Sequence, residues 1–137
     1  MGQYYYVINT TKRQYLHPHR FGDGLKLLEF GCSGCSTMTA LAILLADGNG
    51  RGGGDLRSDD PIVGSWAGDQ IVIGGDYADP GRFVPEADMA AYREAEKGDG
   101  DEAPTLHAVA SALYEEISAK VLPAMKSDSY IAKSLAK

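Results

Sequence analysis

The chain has 137 residues, of which 44% are hydrophobic and 23% charged, and this composition is typical of one folded domain rather than a disordered segment. Its formal net charge of −6, with no basic stripe along the sequence, argues against nucleic acid as a partner. The longest apolar run, residues 38–46, is too short for a membrane-spanning helix and no signal-peptide pattern opens the chain, so we expect a cytoplasmic protein without a membrane partner.

Two stretches near the N-terminus predict a β-hairpin. Residues 3–8 and 13–17 are rich in aromatic and β-branched side chains, and the polar residues 9–12 between them predict a short loop. Side chains alternate along a strand, so the first strand has two faces, of which we expect one to be largely buried. One face carries Tyr4, Tyr6 and Ile8, and the other carries Tyr5 and Val7.

The middle of the chain predicts a helix followed by a long loop. Residues 25–30 fit either a third strand or a helical turn, because six residues are too few for periodicity to decide. Ser36 or Thr37 is a favourable N-cap for an apolar helix that runs to about Ala46. The glycine-rich residues 47–60 show no apolar periodicity and predict a flexible connector.

The C-terminal half predicts a second hairpin and two helices. Residues 62–66 and 70–73 flank a short turn and form the predicted hairpin. From Thr105 onwards, apolar residues recur every three to four positions, which indicates an amphipathic helix that Pro123 ends or kinks. A last short helix begins near Ser127. The apolar positions of the long helix are Leu106, Val109, Leu113, Ile117 and Val121.

Together these elements predict one α+β domain over residues 1–137. Two β-hairpins form a mostly antiparallel sheet, and the helices pack on one face of it. Residues 86–102 carry seven acidic and two basic side chains, which predicts a solvated surface loop or short helix.

Two histidines and both cysteines concentrate within residues 17–35. A tetrahedral zinc site needs four such ligands, and the spacing between the histidine pair and the cysteine pair is workable. The same residues are also explained as two small buried cysteines and two polar strand-end histidines that bind no metal. We therefore predict no cofactor and keep a zinc site as the alternative. A thioredoxin-like redox pair is disfavoured, because no aromatic residue directly precedes Cys32 and an upstream βαβ unit is missing. The four predicted zinc ligands are His17, His19, Cys32 and Cys35.

The remaining polar groups predict an anion-binding pocket. The glycine-rich loop exposes backbone N–H groups, and Arg51 can pair with an anion held there. Trp66 offers either a stacking face for a ligand or an anchor in the core. Asp69 and Asp76 lie at the ends of the second predicted hairpin, where carboxylates act either as turn residues or as metal ligands and acid–base groups.

Four short motifs stand out within residues 2–79: Tyr15-x-His17-Pro18-His19, Gly24-Leu25-Lys26, Gly52-Gly53-Gly54-Asp55, and Trp66-Ala67-Gly68-Asp69 followed by Gly75-Asp76-Tyr77. In this combination the chain resembles a group of uncharacterised small proteins of bacterial, especially actinobacterial, and phage genomes. The resemblance implies a phage or mobile-element context and no particular reaction. Residues 80–104 fall outside the resemblance, which implies a variable acidic loop or short helix there.

The leading functional hypothesis is a small cytoplasmic binding protein that holds an anionic small molecule in a polar, glycine-lined pocket. One alternative is a metal-dependent hydrolase that uses His17 and His19 with one or more aspartates of the same pocket. Another is a protein–protein interaction module, in which the tyrosine-rich edge at residues 4–6 pairs with a second copy in a homo-oligomer or with another protein. The predicted ligand-binding residues are His17, His19, Lys26, Arg51, Asp55, Trp66, Asp69, Asp76 and Tyr77.

Overall fold

A four-stranded sheet forms the centre of the fold in the computed structural model, which describes residues 2–95 and 103–136. In chain order its strands are β1 (Tyr5–Asn9), β2 (Gln14–Leu16), β3 (Ile71–Gly75) and β4 (Glu115–Glu116). Their order across the sheet is β3-β1-β2-β4. The α+β class is confirmed, and the sheet is mixed, because β1 pairs antiparallel with β2 and β3 while β2 pairs parallel with β4.

Helices surround this sheet. The described residues include a 3-10 helix (Pro18–Phe21), α1 (Leu27–Gly31), α2 (Thr37–Leu45), α3 (Glu86–Ala95), α4 (Leu106–Leu113), α5 (Ser118–Met125) and α6 (Ser129–Leu135). The predictions of a helix after Ser36 and of a last helix near Ser127 are confirmed to within two residues. In the part of the chain that the structure describes, no helix has the length and apolar character needed to cross a membrane.

The N-terminal hairpin is confirmed, and it lies inside the sheet rather than at its edge. Residues Tyr5–Asn9 of β1 pair with β2 on one side and with β3 on the other. Just before β1, Tyr4 and Asp76 exchange hydrogen bonds, since each backbone N–H donates to an oxygen of the other residue. The interaction hypothesis requires a free strand edge at residues 4–6. That edge is already paired with another segment of the same chain and is not free for a second copy.

Both faces of the sheet are covered, which corrects the prediction that helices pack on one face. Val7 and Ile8 are consecutive in β1, and both are fully buried. Because consecutive strand residues point to opposite faces, two apolar clusters form. Val7 belongs to the cluster that contains α2 and α5, whereas Ile8 belongs to the cluster that contains α4. The predicted alternation of the strand is thus confirmed, and each of its two faces has a buried residue.

The second predicted hairpin is wrong, because residues 62–66 form successive turns instead of a strand. Their backbone N–H groups turn towards helix α2: Gly64 donates to the Ile43 carbonyl oxygen at 2.9 Å, and Trp66 donates to the Leu44 carbonyl oxygen at 2.9 Å. The last carbonyl groups of a helix have no partner within the helix, and these turns supply two of the missing donors. The strand partner of β3 is consequently β1, whose residues lie 62–70 positions away in sequence.

Gly64 makes this turn possible. Its φ of +77° is unfavourable for other residues, and a Cβ at this position would collide with the carbonyl oxygen of Ala46. Gly68 is a matched control, since its φ is +83° but a Cβ there would have nothing within 4 Å. We expect Gly64→Ala to lower the free energy of unfolding by about 1–3 kcal/mol more than Gly68→Ala, because only the first adds a steric overlap to the backbone strain. Urea unfolding measures both losses of stability. Equal losses would contradict the role of Gly64 in this turn.

The long helix predicted from Thr105 is interrupted after Leu113. Glu115 and Glu116 instead form β4 in the sheet, and the N–H of the following Ile117 donates to the Tyr15 carbonyl oxygen at 3.0 Å. The apolar spacing continues across the break because the two helices serve different cores: Val109 packs with Ile8, and Val121 packs with Val7. Within α5, Pro123 lies in the last turn and does not end the helix at once.

Part of the acidic segment, residues 86–102, forms a helix that is attached to the rest of the domain. Helix α3 covers its first ten residues, and residues 96–102 lie outside the described part of the chain. Asp88 on α3 is buried, accepts a hydrogen bond from the Tyr114 hydroxyl, and pairs with the Arg13 guanidinium at 3.1 Å. Burial, together with the hydrogen bond to Asp88, raises the pKa of Tyr114 far above its usual value. This carboxylate therefore attaches α3 to α4 and to the hairpin turn.

Candidate functional site

Two of the three histidines of the sequence lie against the ring of Tyr6, and the third lies against one of these two. His107 on α4 stacks on Tyr6 with ring centroids 4.1 Å apart, and His17, which follows β2, lies 5.0 Å from the same ring. His19, in the 3-10 helix, is 4.9 Å from His17. We call Tyr6, His17, His19 and His107 the histidine cluster.

Local sequence places each member of the cluster. Tyr6 points to the face of the sheet on which Ile8 and α4 pack. Opposite Tyr6, β3 has Gly74, where a Cβ would lie 2.9 Å from the Cδ1 atom of Ile8 and at ordinary contact distance from the start of α4. The missing side chain therefore leaves room for Ile8, and Ile8 packs in the same apolar cluster as α4. His107, near the start of α4, stacks on the ring of Tyr6.

His17 has a defined proton arrangement. Its Nδ1 accepts the backbone N–H of His19 at 3.2 Å and so caps the 3-10 helix, in which Pro18 has no N–H to offer. An accepting Nδ1 carries no proton, so the neutral ring is protonated on Nε2. Burial lowers the pKa of His17, and the neighbouring His19 lowers it further. The ring is therefore held in its neutral form near pH 7.

His107 presents an unsatisfied polar atom. Its Nε2 is buried and has no hydrogen-bond partner among the described residues. Burial is the main cause that lowers the pKa of His107, while the charge of Asp76 acts in the opposite direction. A buried polar atom without a partner costs about 1–3 kcal/mol, so a hydrogen-bonding ligand at this position would recover free energy.

Five of the predicted ligand-binding residues lie at this end of the sheet. His17 and His19 belong to the cluster, and Asp76 lies close enough to His107 to influence its pKa. Tyr77 is 71% exposed and follows Asp76 directly. Lys26 is exposed beside Leu25, whose carbonyl oxygen accepts the N–H of the first β1 residue at 2.9 Å.

Two other predicted residues have structural roles elsewhere. Trp66 is fully buried in the core, where its indole N–H donates to the Gln14 side-chain oxygen at 2.8 Å, so it is not a stacking face for a ligand. Asp69 lies at the hairpin-turn end of the sheet and accepts hydrogen bonds from Lys12 at 2.6 Å and from Asn9 at 2.8 Å. These two hydrogen bonds lower the pKa of Asp69. The prediction of a single pocket that includes Trp66 and Asp69 is therefore wrong for these two residues.

The glycine-rich loop binds its own carboxylate. Asp55 accepts the N–H groups of Gly50 at 3.0 Å and of Arg51 at 2.8 Å, so the backbone donors predicted to hold an anion already have a partner. The loop also lines a cleft of ≈ 270 Å³ with α2 and α6, next to the cluster that contains Val7. Tyr6 packs on the opposite face of the sheet. Arg51 and Asp55 therefore do not join the histidine cluster, contrary to prediction.

The predicted zinc ligands do not assemble. Cys32 is exposed and Cys35 is half-buried with a φ of +61°, and both are free thiols. Within residues 2–95 and 103–136, no three or more His, Cys, Asp or Glu side chains are grouped so that they could hold a metal ion. The histidines of this cluster are arranged for hydrogen bonding and stacking instead.

Sequence reasoning missed His107 and Tyr6 as members of the site. His107 follows an apolar helix position, and Tyr6 is one of three consecutive tyrosines, so neither stands out in the sequence. Only the packing of α4 over β1 brings them to His17. Comparisons with protein-family models, with curated proteins and with solved structures found no match to this chain.

Proposed function

We propose that the protein binds a small anionic molecule, such as a carboxylate or phosphate compound, at the histidine cluster. The observation that supports this function best is the buried Nε2 of His107, which has no partner among the described residues and lies near the imidazole of His17. A polar atom in such a position is unfavourable until a ligand or a water molecule pairs with it. The stacked rings of Tyr6 and His107 supply a rigid wall for the ligand.

The charge of the ligand follows from the titratable groups around the cluster. Imidazoles that take up a proton donate from both nitrogens and pair strongly with oxygen anions. His19 is exposed, so a ligand can reach it from solvent. Arg20 is also exposed, and its Nε pairs with a carboxylate oxygen of Glu116 at 3.3 Å. The other guanidinium N–H groups remain as donors for an anion.

Sulfate is a suitable probe, because it keeps its charge between pH 5 and pH 8 and has no apolar part. We expect saturable changes in the NMR signals of the three histidine rings when sulfate is added near pH 6. His19→Ala should weaken binding about tenfold, the equivalent of one charge-assisted hydrogen bond. Arg51→Ala is the control, since Arg51 lies in the glycine-rich loop, and this variant should bind like the parent protein. Absence of saturable changes, or equal effects of the two variants, would overturn the proposal.

We further propose that the protein acts in the cytoplasm and belongs to a phage or mobile-element context. The free thiols of Cys32 and Cys35 support a reducing compartment. The motifs around His17 and Asp76 support the context through their resemblance to small phage and bacterial proteins.

A further inference from the structure

The histidine cluster contains a helix cap that can titrate. Most N-caps are Ser, Thr, Asp or Asn, whose oxygen accepts a backbone N–H over a wide pH range. Here the cap is the Nδ1 of His17, which accepts the His19 N–H at 3.2 Å. A histidine differs from the usual caps because the accepting atom itself can gain a proton near physiological pH.

Given the function proposed above, we infer that ligand binding is coupled to proton uptake by His17. A proton from solvent adds to Nδ1 and converts the ring from the acceptor of the His19 N–H into a donor. The ring cannot cap the 3-10 helix and hold an anion with the same atom, so it exchanges one role for the other. Binding of the anion therefore frees the His19 N–H at the start of the 3-10 helix, while the Arg20 N–H still donates to the His17 carbonyl oxygen at 3.0 Å.

The surroundings of His17 set the direction of this coupling. Its ring faces charged or titratable groups on several elements: His19 and Arg20 of the 3-10 helix, Tyr6 of β1, Glu116 of β4 and His107 of α4. Burial, then His19 and Arg20, oppose protonation, while Glu116 favours it. Glu116 already pairs with Arg20, so an incoming anion would supply the missing negative charge.

The rest of the segment keeps its place when the cap is released. The backbone N–H of His17 donates to the Ser118 hydroxyl at 2.9 Å and does not depend on the state of the ring. Phe21 is buried in the core, and the 3-10 helix ends at Gly22, whose φ of +84° suits glycine. The change is thus confined to residues 18–20.

A pH titration without any ligand tests the cap directly. The amide signal of His19 and the ring signals of His17 should shift with the same midpoint between pH 8 and pH 4.5. In His17→Asn the amide oxygen of asparagine can replace the cap and does not titrate, so the shift of the His19 amide should disappear. In His19→Ala the amide at position 19 should still follow His17, which excludes an effect of the His19 ring itself. An amide signal that ignores the titration of His17, or that titrates unchanged in His17→Asn, would overturn the inference.

Sulfate binding at several pH values separates this inference from the proposed function. Uptake of one proton raises the affinity by up to about tenfold for each unit that the pH falls. The slope for His17→Asn should be smaller than that of the parent protein by about one proton. Sulfate binding with an equal slope in both proteins would overturn the coupling and leave the function standing. A titrating cap without sulfate binding at any pH would instead overturn the function.

Discussion

Replacing Trp66 by alanine should lower the free energy of unfolding by about 3–5 kcal/mol. The indole is completely buried within the apolar cluster between the sheet, α2 and α5. Its removal leaves a cavity and exposes the side-chain oxygen of Gln14 that the indole N–H contacts. The loss is a large part of the 5–15 kcal/mol that stabilises a typical domain. Urea unfolding followed by far-ultraviolet circular dichroism measures it without the tryptophan signal.

Trp66→Phe is the matched variant, because it keeps an aromatic ring in the core and removes only part of the volume and the N–H. We expect a smaller loss of stability for this variant than for Trp66→Ala, and unchanged sulfate binding. A loss below about 1 kcal/mol for Trp66→Ala would show that the indole is not a core anchor. Weaker sulfate binding by folded Trp66→Phe would favour the ligand-stacking role that the burial of this residue argues against.

Replacing Asp23 by alanine should lower the free energy of unfolding by about 3–4 kcal/mol, because hydrogen bonds to a charged group are each worth about 1.5–3 kcal/mol and are not additive. The buried carboxylate accepts from the Ser33 hydroxyl at 2.7 Å and the Ser36 hydroxyl at 3.0 Å. It also accepts from the Thr37 N–H at 3.1 Å and the Thr37 hydroxyl at 2.6 Å. The side chain of Ser36, the N-cap residue, makes no capping hydrogen bond. Asp23, which is remote in sequence, caps the first N–H of helix α2 instead.

Two further variants make this measurement decisive. Asp23→Asn keeps one accepting oxygen for the Thr37 donors and turns an N–H₂ group towards the hydroxyls of Ser33 and Ser36, so we expect an intermediate loss. Asp59→Ala removes an exposed carboxylate from the glycine-rich loop and should change stability by less than about 0.5 kcal/mol. Equal effects of Asp23→Ala and Asp59→Ala in urea unfolding would contradict the capping role.

Elements with a strong local signal were predictable from the sequence. The N-terminal hairpin follows from its aromatic and β-branched residues around a polar loop, and α2 follows from an apolar run after Ser36. The strand predicted at residues 62–66 failed because an apolar run satisfies a core position in a turn as well as in a strand. Its backbone partners are the carbonyl groups at the end of α2, and no local pattern indicates them.

The candidate site was only partly predictable for a similar reason. His17 and His19 were identified because they are close in sequence, and Asp76 because it follows a strand. Asp55 and Asp69 carry the same carboxylate chemistry, but the fold uses them to hold a loop and a hairpin turn. Residue type alone does not distinguish a carboxylate that binds a ligand from one that accepts hydrogen bonds from its own chain.

The sequence by itself determined the α+β class, the first hairpin and the start of α2, because propensity, periodicity and capping act over a few residues. Tertiary structure alone decided that β3 pairs with β1, and that helices cover both faces of the sheet. It also decided that His107 and His17 lie against the same ring of Tyr6, although His107 follows His17 by 90 residues and Tyr6 by 101. The physical reason is that strand order and helix packing depend on which buried surfaces fit together, and these surfaces combine residues that are distant in sequence.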